Sequence, residues 1–203
     1  MEIRRPLAYR ARPKTIDEIV GQIHLVGENG VIRRMISNEK MFSLILYGPP
    51  GVGKTTIASV IANNFGLNTF KFNASTDKKS QLREIIEVSI NYGALVIIDE
   101  IHRMNKDIQD FLLPHVEEGN IIMVGLTTSN PYHSVNPAVR SRAHVLKLES
   151  ISNEDIIYRL KQVIIEYKTD LTSSMDENVY EYIAQGSNHD IINALNSMEI
   201  LNM

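Results

Sequence analysis

Short apolar runs alternate along the chain with longer stretches in which apolar positions return every three or four residues. The short runs are Leu44–Tyr47, residues 69–72, residues 94–98, Ile121–Thr127 and residues 145–148. Each is too brief for a helix, and several are apolar without interruption, the pattern of strands buried on both faces. Between them, Lys54–Phe65, residues 80–91 and Lys106–Glu117 carry helical periodicity, with Leu82, Ile85, Ile86 and Ser89 on one stripe of the second. Strand and helix alternating with short connections predict a five-stranded parallel sheet between two helical layers.

The pattern changes near residue 150. Ser152 and Asp155 have the spacing of a capping box, and from there to Met203 the sequence reads as helices, broken near residues 169–175 and 186–189. We therefore expect a core over residues 1–150 and a helical unit over 151–203. About fifty residues are few for an independent core, so the second unit is expected to pack on the first.

Between the first strand and the first long helix lies Gly48-Pro-Pro-Gly51-Val-Gly53-Lys54-Thr55-Thr56, the P-loop pattern in the context it requires. Glycines let backbone N–H groups converge on phosphate oxygens, and the helix N-terminus adds partial positive charge at the same point. The expected nucleotide contacts are Pro50, Gly51, Val52, Gly53, Lys54, Thr55 and Thr56, with the Lys54 ammonium on the terminal phosphates and the Thr55 hydroxyl on Mg²⁺.

The third strand ends in Asp99-Glu100. In folds of this kind such an acid-tipped strand is expected beside the phosphate loop. Asp99 is then the second Mg²⁺ ligand, and Glu100 the general base that deprotonates an attacking water. A carboxylate at that second position favours hydrolysis over transfer to a small acceptor. A guanine-reading Asn-Lys-x-Asp is missing, because Asn105-Lys106-Asp107-Ile108 has the wrong last residue and the wrong place.

Composition narrows the class. The 203 residues include no Cys, which excludes disulfides and thiolate zinc sites. Lys+Arg number 21 and Asp+Glu 24, a net charge of −3 that excludes a uniformly basic nucleic-acid binder. The charge is uneven. Arg4, Arg5, Arg10, Arg12 and Lys14 crowd the start against Glu2, and nothing basic follows Lys168. The basic head is open to three roles: DNA phosphates, nucleotide, or domain packing. No apolar run approaches the roughly 18 residues of a membrane span, and the first residues lack a signal-peptide core, so a soluble intracellular protein is expected. The six His residues have no metal-ligand spacing on a helix, and His102, just after the acidic pair, is read first as packing or support.

Gly48–Thr56 and Leu95–Glu100 resemble the Walker A and Walker B motifs of AAA+ ATPases, a P-loop NTPase fold followed by an all-helical lid. Leu7–Gly21 is similar to the adenine-side segment of clamp-loader-type members, and Phe72-Asn-Ala-Ser-Thr-Asp77 to their second-strand motif. Asp99–Lys106, Phe111-Leu-Leu-Pro-His-Val-Glu-Glu-Gly119 and Gly125-Leu-Thr-Thr-Ser-Asn-Pro131 closely resemble the RarA/MgsA family, with its eukaryotic Werner-helicase-interacting counterpart.

The resemblance implies an Mg²⁺-dependent ATPase (ATP to ADP and phosphate) in replication-fork maintenance and recombination, cytoplasmic and associated with the nucleoid. It implies DNA contact through a homo-oligomer, with single-strand-binding and replication proteins as partners. A clamp-loader subunit, a Holliday-junction branch-migration motor, and a fragment that binds nucleotide with little turnover are the alternatives. It places Thr128, or its neighbour Thr127, at the sensor-1 position, and Arg142 as an arginine finger acting on a neighbouring subunit. Val20 and Gly21 are placed at the adenine pocket, and Asn73 near a residue that restrains the catalytic Glu in some members. Two departures stand out. The expected sensor-2 Arg is Ile192, and family members continue well beyond Met203, so the chain is expected to be an N-terminal portion ending within the lid.

Overall fold

The computed structural model describes residues 5–167 and 176–201. The first helices are short: α1 (Leu7–Arg10), a 3-10 turn at Ile16–Glu18, α2 (Ile23–Val26) and α3 (Val31–Ser37). Then come β1 (Leu44–Tyr47), α4 (Lys54–Phe65), β2 (Thr69–Asn73), α5 (Lys79–Tyr92) and β3 (Ala94–Asp99). A second 3-10 turn, Ile101–Arg103, leads to α6 (Lys106–Glu117), β4 (Ile121–Thr127), α7 (Pro131–Ser134), α8 (Pro137–Arg140) and β5 (His144–Lys147). The tail forms α9 (Asn153–Glu166), α10 (Glu177–Gly186) and α11 (Ile191–Leu201).

The expected strands and helices form within a residue or so of their predicted limits. The last strand begins one residue early because His144 N–H bonds Ser43 O at 2.9 Å, while Leu148 N–H still donates to Tyr47 O at 2.7 Å. Ser152 caps α9 as predicted, its Oγ accepting from Asp155 N–H at 3.1 Å. The expected break at 186–189 is a turn, and the one at 169–175 lies outside the described residues.

The five strands are all parallel, in the order β2-β3-β4-β1-β5. The acid-tipped β3 is not hydrogen-bonded to the phosphate-loop strand, because β4 is inserted between them, yet its carboxylates still act on Lys54 of the loop. The chain runs outward from β1 to β2 and then back, so right-handed crossovers put α4 on one face and α5 and α6 on the other.

Strand alternation supplies both faces with side chains. Leu44, Leu46, Leu95, Ile97, Val124 and Leu126 pack with Ile57, Ala58, Val60 and Ile61 of α4 and with Leu25, Val26, Ile32 and Met35 before the sheet. Ile45, Val96, Ile98 and Met123 face the other way, onto Leu82 and Ile86 of α5 and Ile108 and Leu112 of α6.

A third core belongs to the tail. Ile156, Leu160 and Val163 of α9 meet Tyr180 and Ile183 of α10 and Ala194, Leu195 and Met198 of α11. Leu7 and Ala11 from the start of the chain are buried in the same cluster. Hydrogen bonds fasten this segment: Leu7 N–H to Glu199 Oε2 (2.9 Å), Tyr167 Oη–H to Arg10 O (2.6 Å) and Arg159 Nη2–H to Ala11 O (2.8 Å). The tail thus gains the apolar area it lacks alone by enclosing the N-terminal helix. Our proposed boundary near residue 150 therefore has α1 packed across it.

Candidate active site

In a parallel α/β sheet, ligands gather at the carboxyl ends of the strands. Here the ends of β1, β3 and β4 bring together the phosphate loop, the acidic pair and the Thr127-Thr128 pair. Gly48 N–H donates to Thr127 O at 3.3 Å, tying the first residue of the loop to the tip of β4. The loop then turns into α4, with Lys54 as its first residue. Lys54 Nζ donates to Gly48 O (2.8 Å) and Pro49 O (2.6 Å), so the ammonium is folded back onto its own loop. Burial lowers the Lys54 pKa, and the charges of Glu100, Asp99 and Asp190 oppose that shift. A half-desolvated cation facing converging N–H groups suits an anionic, phosphate-bearing ligand.

Asp99 and Glu100 are both half-buried beside it. Asp99 Oδ1 accepts the Glu100 N–H at 3.0 Å. Glu100 adopts the left-handed conformation (φ 53°, ψ 42°), uncommon for a residue with a side chain and frequent at functional turns. Its Oε2 lies 3.2 Å from His102 Nε2 and 3.9 Å from Arg103 Nε. Asn73 pairs in register with Asp99, but its Oδ1 accepts from Ser75 N–H at 2.8 Å. The side chain holding Glu100 is thus His102.

Thr55 is exposed in the first turn of α4. One hydroxyl and one carboxylate, Thr55 and Asp99, form the sparse oxygen set that Mg²⁺ takes when water and phosphate complete its shell. Among the described residues no group of three or more His, Asp or Glu is disposed to hold a metal.

The threonine pair, open in sequence, is separated by the strand. Thr127 is 1% exposed, and its Oγ1 lies 2.8 Å from His102 Nδ1, whereas Thr128 is exposed. Arg142 is elsewhere. It precedes β5, the strand beside β1, whose first residue pairs with Leu44, so it lies at the opposite end of the strands from its own phosphate loop. A four-residue strand is about 13 Å long, which takes Arg142 out of reach of that loop. The guanidinium pairs with Glu117 and donates to Ala138 O at 2.7 Å. Asn105, from the rejected guanine motif, caps α6 by accepting from Ile108 N–H.

Beside the loop opens a mainly apolar cleft between the sheet and the tail. Val20, Val52, Gly53 and Thr56 line one side, with Ala8, Ala11 and Arg12 from the N-terminal segment and Ile191, Ile192 and Leu195 from α11 on others. Gly21 lines the adjoining hollow with Asp155 and Tyr158. Ile192 is half-exposed in the cleft, where the resemblance led us to expect an Arg.

Sequence reasoning missed two contributors. Arg159 is 2% exposed and lines the cleft from α9. Asp190 caps α11 through Oδ1, which accepts from Ile192 N–H at 2.8 Å, and its carboxylate lies against Gly51. A β-carbon on Gly51, where φ is +76°, would stand 2.2 Å from Asp190 Cγ. An Asp before a helix is legible as a cap. Its approach to a loop 139 positions earlier is not.

Comparison with known proteins follows this geometry. Residues 11–138 match the family model described as the Holliday junction DNA helicase RuvB P-loop domain. The chain is 42% identical over 200 residues to replication-associated recombination protein A of Bacillus subtilis (strain 168), covering 97% of this chain and 48% of that protein. It is 39% identical over 206 residues to the protein of the same name from Escherichia coli (strain K12), covering 97% and 46%. It is 33% identical over 202 residues to ATPase WRNIP1 of Dictyostelium discoideum, covering 96% and 23%. The chain spans about half the length, or less, of these curated relatives. Among solved structures, the Thermotoga maritima RuvB Holliday junction branch migration motor superposes with a TM-score of 0.79 at 25% identity, over 93% of this chain and 64% of that one. No helix among the described residues is long and apolar enough to cross a membrane.

Proposed function

The chain belongs to the RuvB P-loop family of AAA+ ATPases, and on that premise we propose that it is an Mg²⁺-dependent ATP hydrolase of the replication-associated recombination protein A type. The observation that carries this reading is the Lys54 ammonium, folded back onto the Gly48–Thr56 loop, with the carboxylates of Asp99 and Glu100 acting on it from the end of β3 across β4.

Each residue has a task. The loop backbone from Pro50 to Thr56 receives the phosphates, and Lys54 exchanges its carbonyl partners for terminal phosphate oxygens. The adenine enters the cleft against Val20, Val52 and Leu195. Thr55 and Asp99 would hold Mg²⁺, which would neutralise phosphate charge there. Glu100 orients a water and takes its proton as that water attacks the γ-phosphorus, the bond to the β,γ-bridging oxygen breaks, and ADP leaves with that electron pair. Thr127 reports the state of the γ-phosphate site from the tip of β4, the role the sequence reading had left open between it and Thr128. Arg142, out of reach of its own loop, serves the site of a neighbouring copy, where a cation stabilises the charge developing on the phosphoryl oxygens. That arrangement requires a homo-oligomer, and we place the oligomer on DNA in the cytoplasm, at the nucleoid, in replication-associated recombination.

A second reading, a nucleotide-binding module with little turnover, is favoured by Ile192, which brings no charge to the cleft from α11. One experiment addresses both. Lys54→Ala should weaken ATP binding at least tenfold in a titration, since a buried charge-assisted contact contributes about 1.5–3 kcal/mol. Unchanged affinity overturns the site. Tight binding by the wild type without phosphate release selects the second reading.

A further inference from the structure

We propose that His102 is a positioning residue that couples the phosphate loop to Glu100 through the tip of β4. The proposal rests on Glu100 being the general base, and it gives a specific role to a side chain that the sequence reading left as packing or support.

The connection is continuous. Gly48, first residue of the loop, donates its N–H to Thr127 O (3.3 Å). Thr127 Oγ1 lies 2.8 Å from His102 Nδ1, and His102 Nε2 lies 3.2 Å from Glu100 Oε2. Directions follow from the chemistry of the ends. An ionised carboxylate only accepts, so Nε2 carries the proton toward Glu100. Thr127 Oγ1 already accepts Ser129 N–H at 3.0 Å, and its own proton has His102 Nδ1 at 2.8 Å and Ser129 O at 3.4 Å to choose between. We assign it to the nearer of the two, His102 Nδ1. One neutral tautomer of His102, protonated at Nε2, satisfies both neighbours.

The fold builds this contact on purpose. Gly125 of β4 lies directly beneath the 3-10 turn that carries His102, and a β-carbon there would stand 2.6 Å from Ile101 Cδ1. Without a side chain at 125, the turn settles onto the strand, and Ile101 is fully buried. Glu100, in the left-handed conformation at the start of that turn, has its carboxylate 3.2 Å from the ring. The competing partner, Arg103 Nε at 3.9 Å, comes from a largely exposed side chain and holds Glu100 weakly. When phosphate draws the loop backbone, Thr127 shifts with Gly48, and the ring carries that shift to the carboxylate.

The test uses the 203-residue chain in steady-state ATP turnover, with ¹⁵N spectra of the His102 ring as a readout independent of turnover. His102→Ala should lower kcat by about tenfold to a hundredfold, the effect of a misplaced catalytic group, with KM for ATP changed less than about twofold. His102→Gln, whose amide offers an acceptor and a donor side by side, should recover most of the loss. Thr127→Val should lower kcat less, and the double variant should be no worse than His102→Ala alone. In the wild-type spectrum Nδ1 should be unprotonated and Nε2 protonated, and Thr127→Val should convert this to a mixture of tautomers. An unchanged kcat in His102→Ala, independent multiplication of the two effects, or a ring spectrum indifferent to Thr127→Val overturns the coupling. A wild type that releases no phosphate but shows the tautomer and its loss in Thr127→Val refutes the ATPase reading and leaves the link standing.

Discussion

Asp190 shows how a single charge sets the tone of the phosphate loop. It is the cap of α11 and, through the same carboxylate, a neighbour of Gly51 and one of the charges that hold Lys54 protonated. An anion entering the loop meets that carboxylate. Asp190→Asn keeps the cap, because Asn caps as well as Asp, while removing the charge. It should tighten ATP binding by about threefold to tenfold, near 1 kcal/mol for a partly screened charge, with the gain shrinking as salt rises. Equal or weaker binding at low salt would show that the carboxylate favours the nucleotide-bound arrangement. At this scale the sequence was legible where the residue's chemistry was local. Lys54, Asp99 and Glu100 could be named because loop, strand end and helix start are written side by side. Asp190 and Arg159 could not, because their importance comes from contacts across the fold.

Among the elements, the uninterrupted apolar runs announced a parallel sheet, and all five strands form where expected. Their order was not legible. Strands buried on both faces look alike, so nothing in Leu44–Tyr47 or Ala94–Asp99 says that β4 stands between them. That insertion decides the site, since it brings Thr127, not only Asp99, beside the loop. The Thr127-Thr128 ambiguity had the same origin: at the tip of β4 Thr127 is buried, and Thr128, just past the strand, is exposed. Gly125 is the element-level support. Gly125→Ala forces a β-carbon against Ile101, an overpacking that costs about 1–3 kcal/mol, and lifts the turn that carries His102. Its melting temperature should fall, and its kcat should fall by more than the loss of folded protein explains. Ile101→Val, which removes the offending Cδ1, should restore both in the double variant. An Ala variant with normal kcat would detach the turn from the chemistry.

At the scale of the molecule, the sheet domain and the tail meet along the cleft that we assign to the adenine. The tail contains α1, so its share of the cleft comes from both ends of the described chain: Ala8, Ala11 and Arg12 from one, Ile191, Ile192 and Leu195 from the other. Two residues of the basic head read from the sequence, Arg10 and Arg12, thus meet the tail or line the cleft it forms. Arg10 lies 3.7 Å from Glu199, and its carbonyl accepts from Tyr167. A nucleotide bridging the cleft would bind both bodies and stabilise their closed arrangement by mass action. The central claim is that this assembly binds ATP and hydrolyses it through Glu100. The most direct measurement sets ATP affinity beside phosphate release for the wild type and for Glu100→Gln. The account predicts that Glu100→Gln keeps its affinity within about threefold while turnover falls by at least about a hundredfold, as loss of a general base requires. Retained turnover in that variant would contradict it.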